Sequence, residues 1–322
     1  MSVPKEPPRC PPTCFLYLPP YRVQGISIAG EESVVQVPEL DVCFDIGRCP
    51  RTALTSKYVA LSHGHMDHSA GLAYYFSQRA FQGMGEGTVV CHPDLEKPIH
   101  NLMRAWIDIE AQKTPYRVIG LAPDNEVEIK NNIFLRGFAT EHRVPSLGYV
   151  VLERRSKLKA ELAGLPQEEL MKLKTAGKAI TDQHEIPLVC YTGDTAWGKH
   201  FDRPDVLNAK ILITECTFLE AEHRGRANIG MHLHLDDIVT LLSKSKAEAI
   251  VLTHMSRRTN MGIAKRQVEA AIPAEHRDRV YVLMDNRPQG RGRRDAGAGP
   301  ATGPAAGPAV GPPSPRAEAQ RD

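Results

Sequence analysis

Three imidazoles and one carboxylate fall within six positions of this chain, at His63, His65, Asp67 and His68. The apolar run before them, residues 58–61, reads as a strand, and residues 70–82 after them read as a helix. In an extended segment, side chains two apart face the same side, so His63 and His65 can grip one metal ion together. Asp67 and His68 sit where the chain turns into the helix and can aim at a second ion. Nitrogen and carboxylate donors suit zinc, and manganese or iron would also accept them. A solvated histidine-rich turn is the bland alternative. It accounts for the residue types but not for the His-x-His-x-Asp-His spacing.

A chain of 322 residues, 42% of them hydrophobic, can bury one large core, and a single domain of this length suits a two-sheet sandwich. The net charge of +2 does not call for a polyanion, so any such partner must be attracted locally. The seven cysteines are odd in number and follow no disulfide rhythm. Cys10-x-x-x-Cys14 has no second half to complete a metal site. The apolar run at residues 15–18 is too short for a signal or a span, so a soluble cytoplasmic protein without membrane contact is expected.

Residues 1–20 are proline-rich and read as an irregular leader. A folded domain is expected over residues 21–285. An Ala/Gly/Pro tract over 286–322 is expected to be disordered, since it lacks the side chains to repay its ordering entropy. Strands are expected at 22–28, 33–37, 41–45, 88–91, 133–139, 148–152, 188–191, 210–214, 249–253 and 279–283. Helices are expected at 94–113, at about ten residues after His234, and at 262–271. On the helix from 94, residues Leu95, Ile99, Leu102, Met103 and Trp106 share one face. Between 153 and 182 basic residues collect around short helical stretches, an excursion from the core whose bland reading is a solvated face.

Several apolar runs deliver a polar group at their carboxyl end, and strand ends gathered along one edge make a rigid mount for a site. Counting ligands gives His63, His65 and His142 for one ion, and Asp67, His68 and His254 for the other. Asp194, in a Gly-Asp-Thr turn, can bridge both. Two ions roughly 3.5–4 Å apart activate a shared water and clamp an in-line displacement. Glu215 with His232 can supply the leaving group's proton, with His234 as a competing choice, and Asp67 can deprotonate the water. Asp45, leaving a strand before Gly47, either orients a ligand histidine or merely forms a turn.

With these residues in hand, the chain resembles the metallo-β-lactamase superfamily, and within it short-form ribonuclease Z of the plant type, the tRNA 3′-processing endonuclease. The resemblance covers about residues 22–284. It rests on the histidine–aspartate stretch, Phe44-Asp45-Ile46-Gly47, His142 followed by Pro145-Ser146-x-Gly148-Tyr149, and Gly193-Asp194-Thr195. It continues through Glu215-Cys216-Thr217-Phe218, His232-Leu233-His234 and His254-Met255-Ser256-x-Arg258. The first stretch is common to the superfamily; the Glu-x-Thr-Phe and His-x-Ser-x-Arg elements point to the ribonuclease Z branch.

The resemblance implies an α/β fold, an αββα sandwich of two mixed sheets flanked by helices. It also implies two zinc ions (Zn2+, with Mn2+ or Fe2+ acceptable), a homodimer, and cleavage of precursor tRNA just after the discriminator nucleotide, leaving a 3′-hydroxyl. Asp67 is then the base and Glu215–His232 the proton donor. The 153–182 excursion takes the place of a tRNA-gripping arm, so Lys157, Lys159, Lys172 and Lys174, with Ser256 and Arg258, become substrate contacts. Gly164-Leu165-Pro166 stands where bacterial arms carry a glycine–proline motif. A lysine–arginine–asparagine loop is absent near residues 30–38, and Thr259 follows Arg258 where relatives commonly have Tyr. Two competing readings are a hydrolase of this superfamily acting on another phosphodiester, ester or thioester, and a non-catalytic RNA-binding relative.

Overall fold

Alternation along the strands sets the layers. In the strand Ile211–Glu215, Ile211 and Ile213 join the apolar cluster that both sheets share, while Leu212 joins a second cluster on the far face. The strand Ala249–Thr253 repeats this, with Ala249 and Val251 in the shared cluster and Ile250 and Leu252 behind. A strand apolar on both faces must be covered on both. That requirement places a second sheet on one side and helices on the other.

The structure, a computed structural model, describes residues 13–256 and 258–285. The first half runs β1 (Cys14–Leu18), β2 (Tyr21–Ala29), β3 (Glu32–Val37), β4 (Val42–Phe44), β5 (Tyr58–Ala60), α1 (Met66–Ser69), α2 (Leu72–Phe81), β6 (Gly87–Cys91), α3 (Pro93–Glu110), β7 (Tyr116–Gly120), β8 (Glu126–Lys130), β9 (Ile133–Ala139) and β10 (Leu147–Leu158). The second half runs α4 (Gln167–Thr175), β11 (Thr181–Tyr191), α5 (Pro204–Leu207), β12 (Ile211–Glu215), α6 (Arg224–Gly230), α7 (Leu235–Lys244), β13 (Ala249–Thr253), β14 (Met255–Ser256), α8 (Met261–Ala271) and β15 (Val280–Val282).

One sheet has the order β1-β2-β3-β4-β5-β6-β7, with β14 added alongside β2; the other has the order β15-β13-β12-β11-β10-β9-β8. Each is mixed. Strands β4 to β7 run parallel, as do β11, β12, β13 and β15, and antiparallel hairpins flank both blocks. Helices α2 and α3 bury Leu72, Tyr75, Phe76, Ile99 and Met103 into the first cluster, and α7 and α8 bury Ile238, Leu241 and Val268 into the second. The result is the expected αββα sandwich.

Several details differ from the sequence reading. Of the proline-rich leader, residues 1–12 lie outside the described residues, and within the rest Cys14–Leu18 forms β1, paired antiparallel with β2 and largely buried. Pro19 and Pro20 follow the strand, where a missing N–H costs no ladder bond. Strands β7 and β8 were not foreseen. The 153–182 segment is less helical than expected. β10 and β11 continue outward as a two-stranded ribbon pairing Glu153 with Ile186 through Leu158 with Thr181, and α4 caps it. On α3, Ile99 and Met103 are buried, but Leu102 and Trp106 are 43% and 39% exposed. Residues 286–322 and Cys10 lie outside the described residues. Cys43, Cys49, Cys91, Cys190 and Cys216 form no disulfide among the described residues, and no helix among the described residues is long and apolar enough to cross a membrane.

Candidate metal centre

The carboxyl ends of β4, β5, β11, β12 and β13 meet at one edge, and each delivers a polar side chain there. β4 ends into Asp45, in the left-handed region at φ +58°, a conformation rarely adopted by residues other than glycine. Its buried carboxylate accepts hydrogen bonds from the Ser62 N–H at 2.6 Å, the Ser62 hydroxyl at 2.8 Å and the Tyr191 hydroxyl at 2.6 Å, and contacts His68 Nδ1 at 2.7 Å. Both alternatives for Asp45 therefore hold. It turns the chain, and it fixes a candidate ligand from behind. Gly47 follows because a Cβ there would lie 1.7 Å from the Asp67 carbonyl oxygen, where α1 crosses the exit of β4.

The candidate ligands converge as counted from the sequence. His63 Nε2 lies 2.9 Å from His65 Nδ1, and His142 Nε2 lies 3.4 Å from the same atom. His68 Nε2 is 3.3 Å from His254 Nε2, and an Asp67 oxygen stands 3.5 Å from each. Between the two groups, one Asp194 oxygen is 3.9 Å from His63 Nε2 and 3.3 Å from both His68 Nε2 and His254 Nε2. Each trio, and Asp194 with members of both, falls within the span of a single coordination sphere.

The rings are aimed by their outer nitrogens. Nδ1 of His63 meets the Ser62 hydroxyl at 3.0 Å, that of His142 the Met231 carbonyl at 3.4 Å, and that of His254 the Thr217 hydroxyl at 3.0 Å. Such outer partners fix the tautomer and turn Nε2 inward. His254 is itself in the left-handed region at φ +56°, and its N–H donates to the Ser27 hydroxyl. The Gly30 N–H, at the β2–β3 turn, donates to Asp67 at 2.8 Å.

Electrostatics matches a cation site. Burial, with His68 beside it, pushes His63 down to about 2, so it presents the neutral imidazole a metal needs. Burial alone would raise Asp194 and Asp67. The surrounding imidazoles outweigh it and hold both carboxyls well below the usual range. Burial likewise opposes charge on His68, yet Asp194 and Asp45 raise it well above the ordinary imidazole value. The buried carboxylates thus call for positive charge. Five imidazoles and two carboxylates form a donor set of the kind zinc takes, so the residues present fit divalent ions.

Beside this cluster, Glu215 ends β12. Its two oxygens accept from the Thr195 N–H at 2.7 Å and the Thr217 hydroxyl at 2.5 Å, and lie 3.0 and 3.2 Å from His232 Nδ1. Burial lowers His232, but Glu215, with Asp194 behind it, outweighs that and pushes the imidazole up to about 9. His234 points elsewhere: it accepts from the Asp236 N–H as the cap of α7 and contacts the Glu220 carbonyl at 3.0 Å. Of the two histidines, it is His232 that contacts Glu215.

Not every candidate joins the cluster. Ser256 and Arg258 line a cleft next to His232. Lys157, Lys159, Lys172 and Lys174 sit on the β10–β11 ribbon and its cap, and among the described residues none of the four pairs with a carboxylate. Arg154 and Arg155 in the same segment are tied to Glu185 and Glu153. Sequence reasoning missed Thr217, Thr195, Tyr191 and the Gly30 N–H. Thr217 stood in view inside the Glu-x-Thr element. Tyr191 looks like any core residue of an apolar strand, and a backbone N–H leaves no sequence signal.

Comparison with known proteins bears on the family and the fold. A family model described as a beta-lactamase superfamily domain matches residues 47–255. The chain is 34% identical over 269 residues to tRNase Z TRZ1 of Arabidopsis thaliana, covering 82% of this chain and 95% of that protein. It is 35% identical over 241 residues to the chloroplastic tRNase Z TRZ2 of the same plant, covering 74% and 68%. Among solved structures, human tRNase Z, short form, superposes with a TM-score of 0.53 at 17% identity, covering 80% of this chain and 93% of that one, a likeness of fold.

Proposed function

Because the chain belongs to the metallo-β-lactamase superfamily, in its ribonuclease Z branch, we propose that it is a zinc-dependent endoribonuclease that removes the 3′ trailer from precursor tRNA. The observation that carries this is the Glu215–His232 pair set against a seven-donor cluster. Hydrolysis by the metal cluster alone serves many leaving groups; a poorly leaving ribose oxygen needs a proton donor beside it.

His63, His65 and His142 would hold one ion, Asp67, His68 and His254 the other, and Asp194 both. When bound, such a pair lowers the pKa of a shared water and neutralises charge on the phosphate. Asp67, steadied by the Gly30 N–H, accepts the water's proton. His232 donates from Nε2 to the departing O3′ while Glu215 holds its Nδ1–H. Among the described residues Lys157, Lys159, Lys172 and Lys174 pair with no carboxylate on the protruding ribbon, which supports their reading as phosphate contacts. The proposal extends to a homodimer. Tyr74 and Phe81 of α2 and Leu102, Trp106 and Ile109 of α3 remain exposed and support a partner-covered face.

The test is end-mapping of the product from one precursor tRNA. Cleavage after the discriminator with a 3′-hydroxyl is expected, and Asp67→Ala should remove it while the metal-free protein keeps a cooperative thermal unfolding transition. Turnover of a thioester or lactam with no RNA cleavage would overturn the proposal.

A further inference from the structure

A cleft of about 730 Å³ opens beside the metal centre, lined by His232, Phe218, His223, Arg226 and Arg258 among others. Its place relative to His232 decides what it can hold, given the ribonuclease reading on which this inference rests. Hydrolysis that leaves a 3′-hydroxyl forms a bond from the water oxygen to phosphorus and breaks the P–O3′ bond. The bonding pair departs with O3′, which takes a proton, and the phosphate stays on the trailer. A proton donor to O3′ must lie against the nucleoside that carries it. His232 lines this cleft and has its Nδ1 committed to Glu215, so the cleft lies on the upstream side of the cut.

What lines it suits one unpaired nucleotide. Phe218 is half-buried, with the rings of His223 and His232 set edge-on at 6.1 and 6.2 Å. That leaves a braced aromatic face open to the cleft. His223 is drawn off by Glu220 at 2.9 Å. Arg226, projecting from α6, and Arg258 are exposed, and among the described residues neither pairs with a carboxylate. An aromatic face beside an unpaired guanidinium is the arrangement by which proteins hold single-stranded nucleic acid, with the base stacked and the phosphate paired.

We propose that Phe218 stacks the base of the nucleotide whose O3′ leaves, and that Arg226 pairs with the phosphate on that nucleotide's 5′ side. Stacking accepts any base, so the site senses the presence of a base and not its identity.

The experiment compares kcat/KM on three precursor tRNAs: intact, abasic at the nucleotide upstream of the cut, and abasic at the first trailer nucleotide. Phe218→Ala and the upstream abasic substitution should each lower kcat/KM about tenfold or more, and together no further than either alone. Loss from the trailer abasic site should multiply with Phe218→Ala. Arg226→Ala should reduce the slope of log KM against log salt by the share of about one phosphate. An equal Phe218→Ala penalty on the intact and upstream-abasic substrates, or coupling to the trailer nucleotide instead, overturns the assignment. If Phe218→Ala does not fold, Phe218→Leu keeps the bulk without the π face and decides by the same comparison. An inactive wild-type enzyme on the intact precursor would sink the ribonuclease reading and this assignment with it; an active one with no coupling sinks this assignment alone.

Discussion

His232 and Asp45 show how single side chains acquire roles from their partners. Under the proposed mechanism, His232, with its raised pKa of about 9, holds the proton it would donate below that value and loses it as pH rises through it. The rate should therefore fall on an alkaline limb. That limb should lie at or below about pH 9, since an ion bound to Asp194 removes one of the carboxylates that hold the proton. His232→Ala should lower kcat by about 10²–10⁴ and abolish the limb, as a pH series on the two proteins will read. Asp45 should behave differently, because it touches His68 and not the substrate. Asp45→Asn keeps the size but spoils the hydrogen bonds from Ser62 and Tyr191 and the hold on His68. It should weaken zinc affinity about 10–100-fold in a competition titration against a chelating dye. The candidate ligands were legible because four of them crowd into six positions and each of the rest follows an apolar run. The groups that aim them were largely hidden. An orienting hydroxyl such as that of Ser62 or Thr217 shares its residue type with many turn residues.

At the scale of elements, legibility followed burial. β9, over Ile133–Ala139, and the buried halves of β10 and β11 announce themselves by runs of branched and aromatic residues. The outer halves of β10 and β11 do not. From Arg155 to Lys157 and from Thr181 to Glu185 both faces are polar and exposed, so no alternation marks them and only partner pairing makes them strands. β8 does alternate, as Glu-Val-Glu-Ile-Lys with Ile129 buried, but it is too short to declare itself. This ribbon stands outside the core clusters, so it can be altered without loosening them. Charge reversal of Lys157, Lys159, Lys172 and Lys174 to Glu should leave the unfolding midpoint within about 2 °C. It should weaken precursor tRNA binding and flatten its salt dependence by about one log unit per log unit for each phosphate left unneutralised. Unchanged binding at every salt concentration would return the arm to a plain solvated surface.

For the molecule as a whole, the fold presents chemistry through its parallel blocks. Strand ends from both sheets supply donors, β5 from one and β11 and β13 from the other, so the centre straddles the sandwich and neither sheet contains it alone. Ions bound there would stitch the two sheets together and add stability that depends on metal concentration. The small net charge is consistent with the proposal that RNA is attracted locally, at the ribbon and the cleft, and not by the field of the whole molecule. Anomalous diffraction at the zinc edge, on crystals of the zinc-loaded protein, tests the central claim most directly. The account predicts two peaks roughly 3.5–4 Å apart, one against His63, His65 and His142, the other against Asp67, His68 and His254, with Asp194 touching both. A single peak, or zinc bound away from these seven side chains, would contradict it.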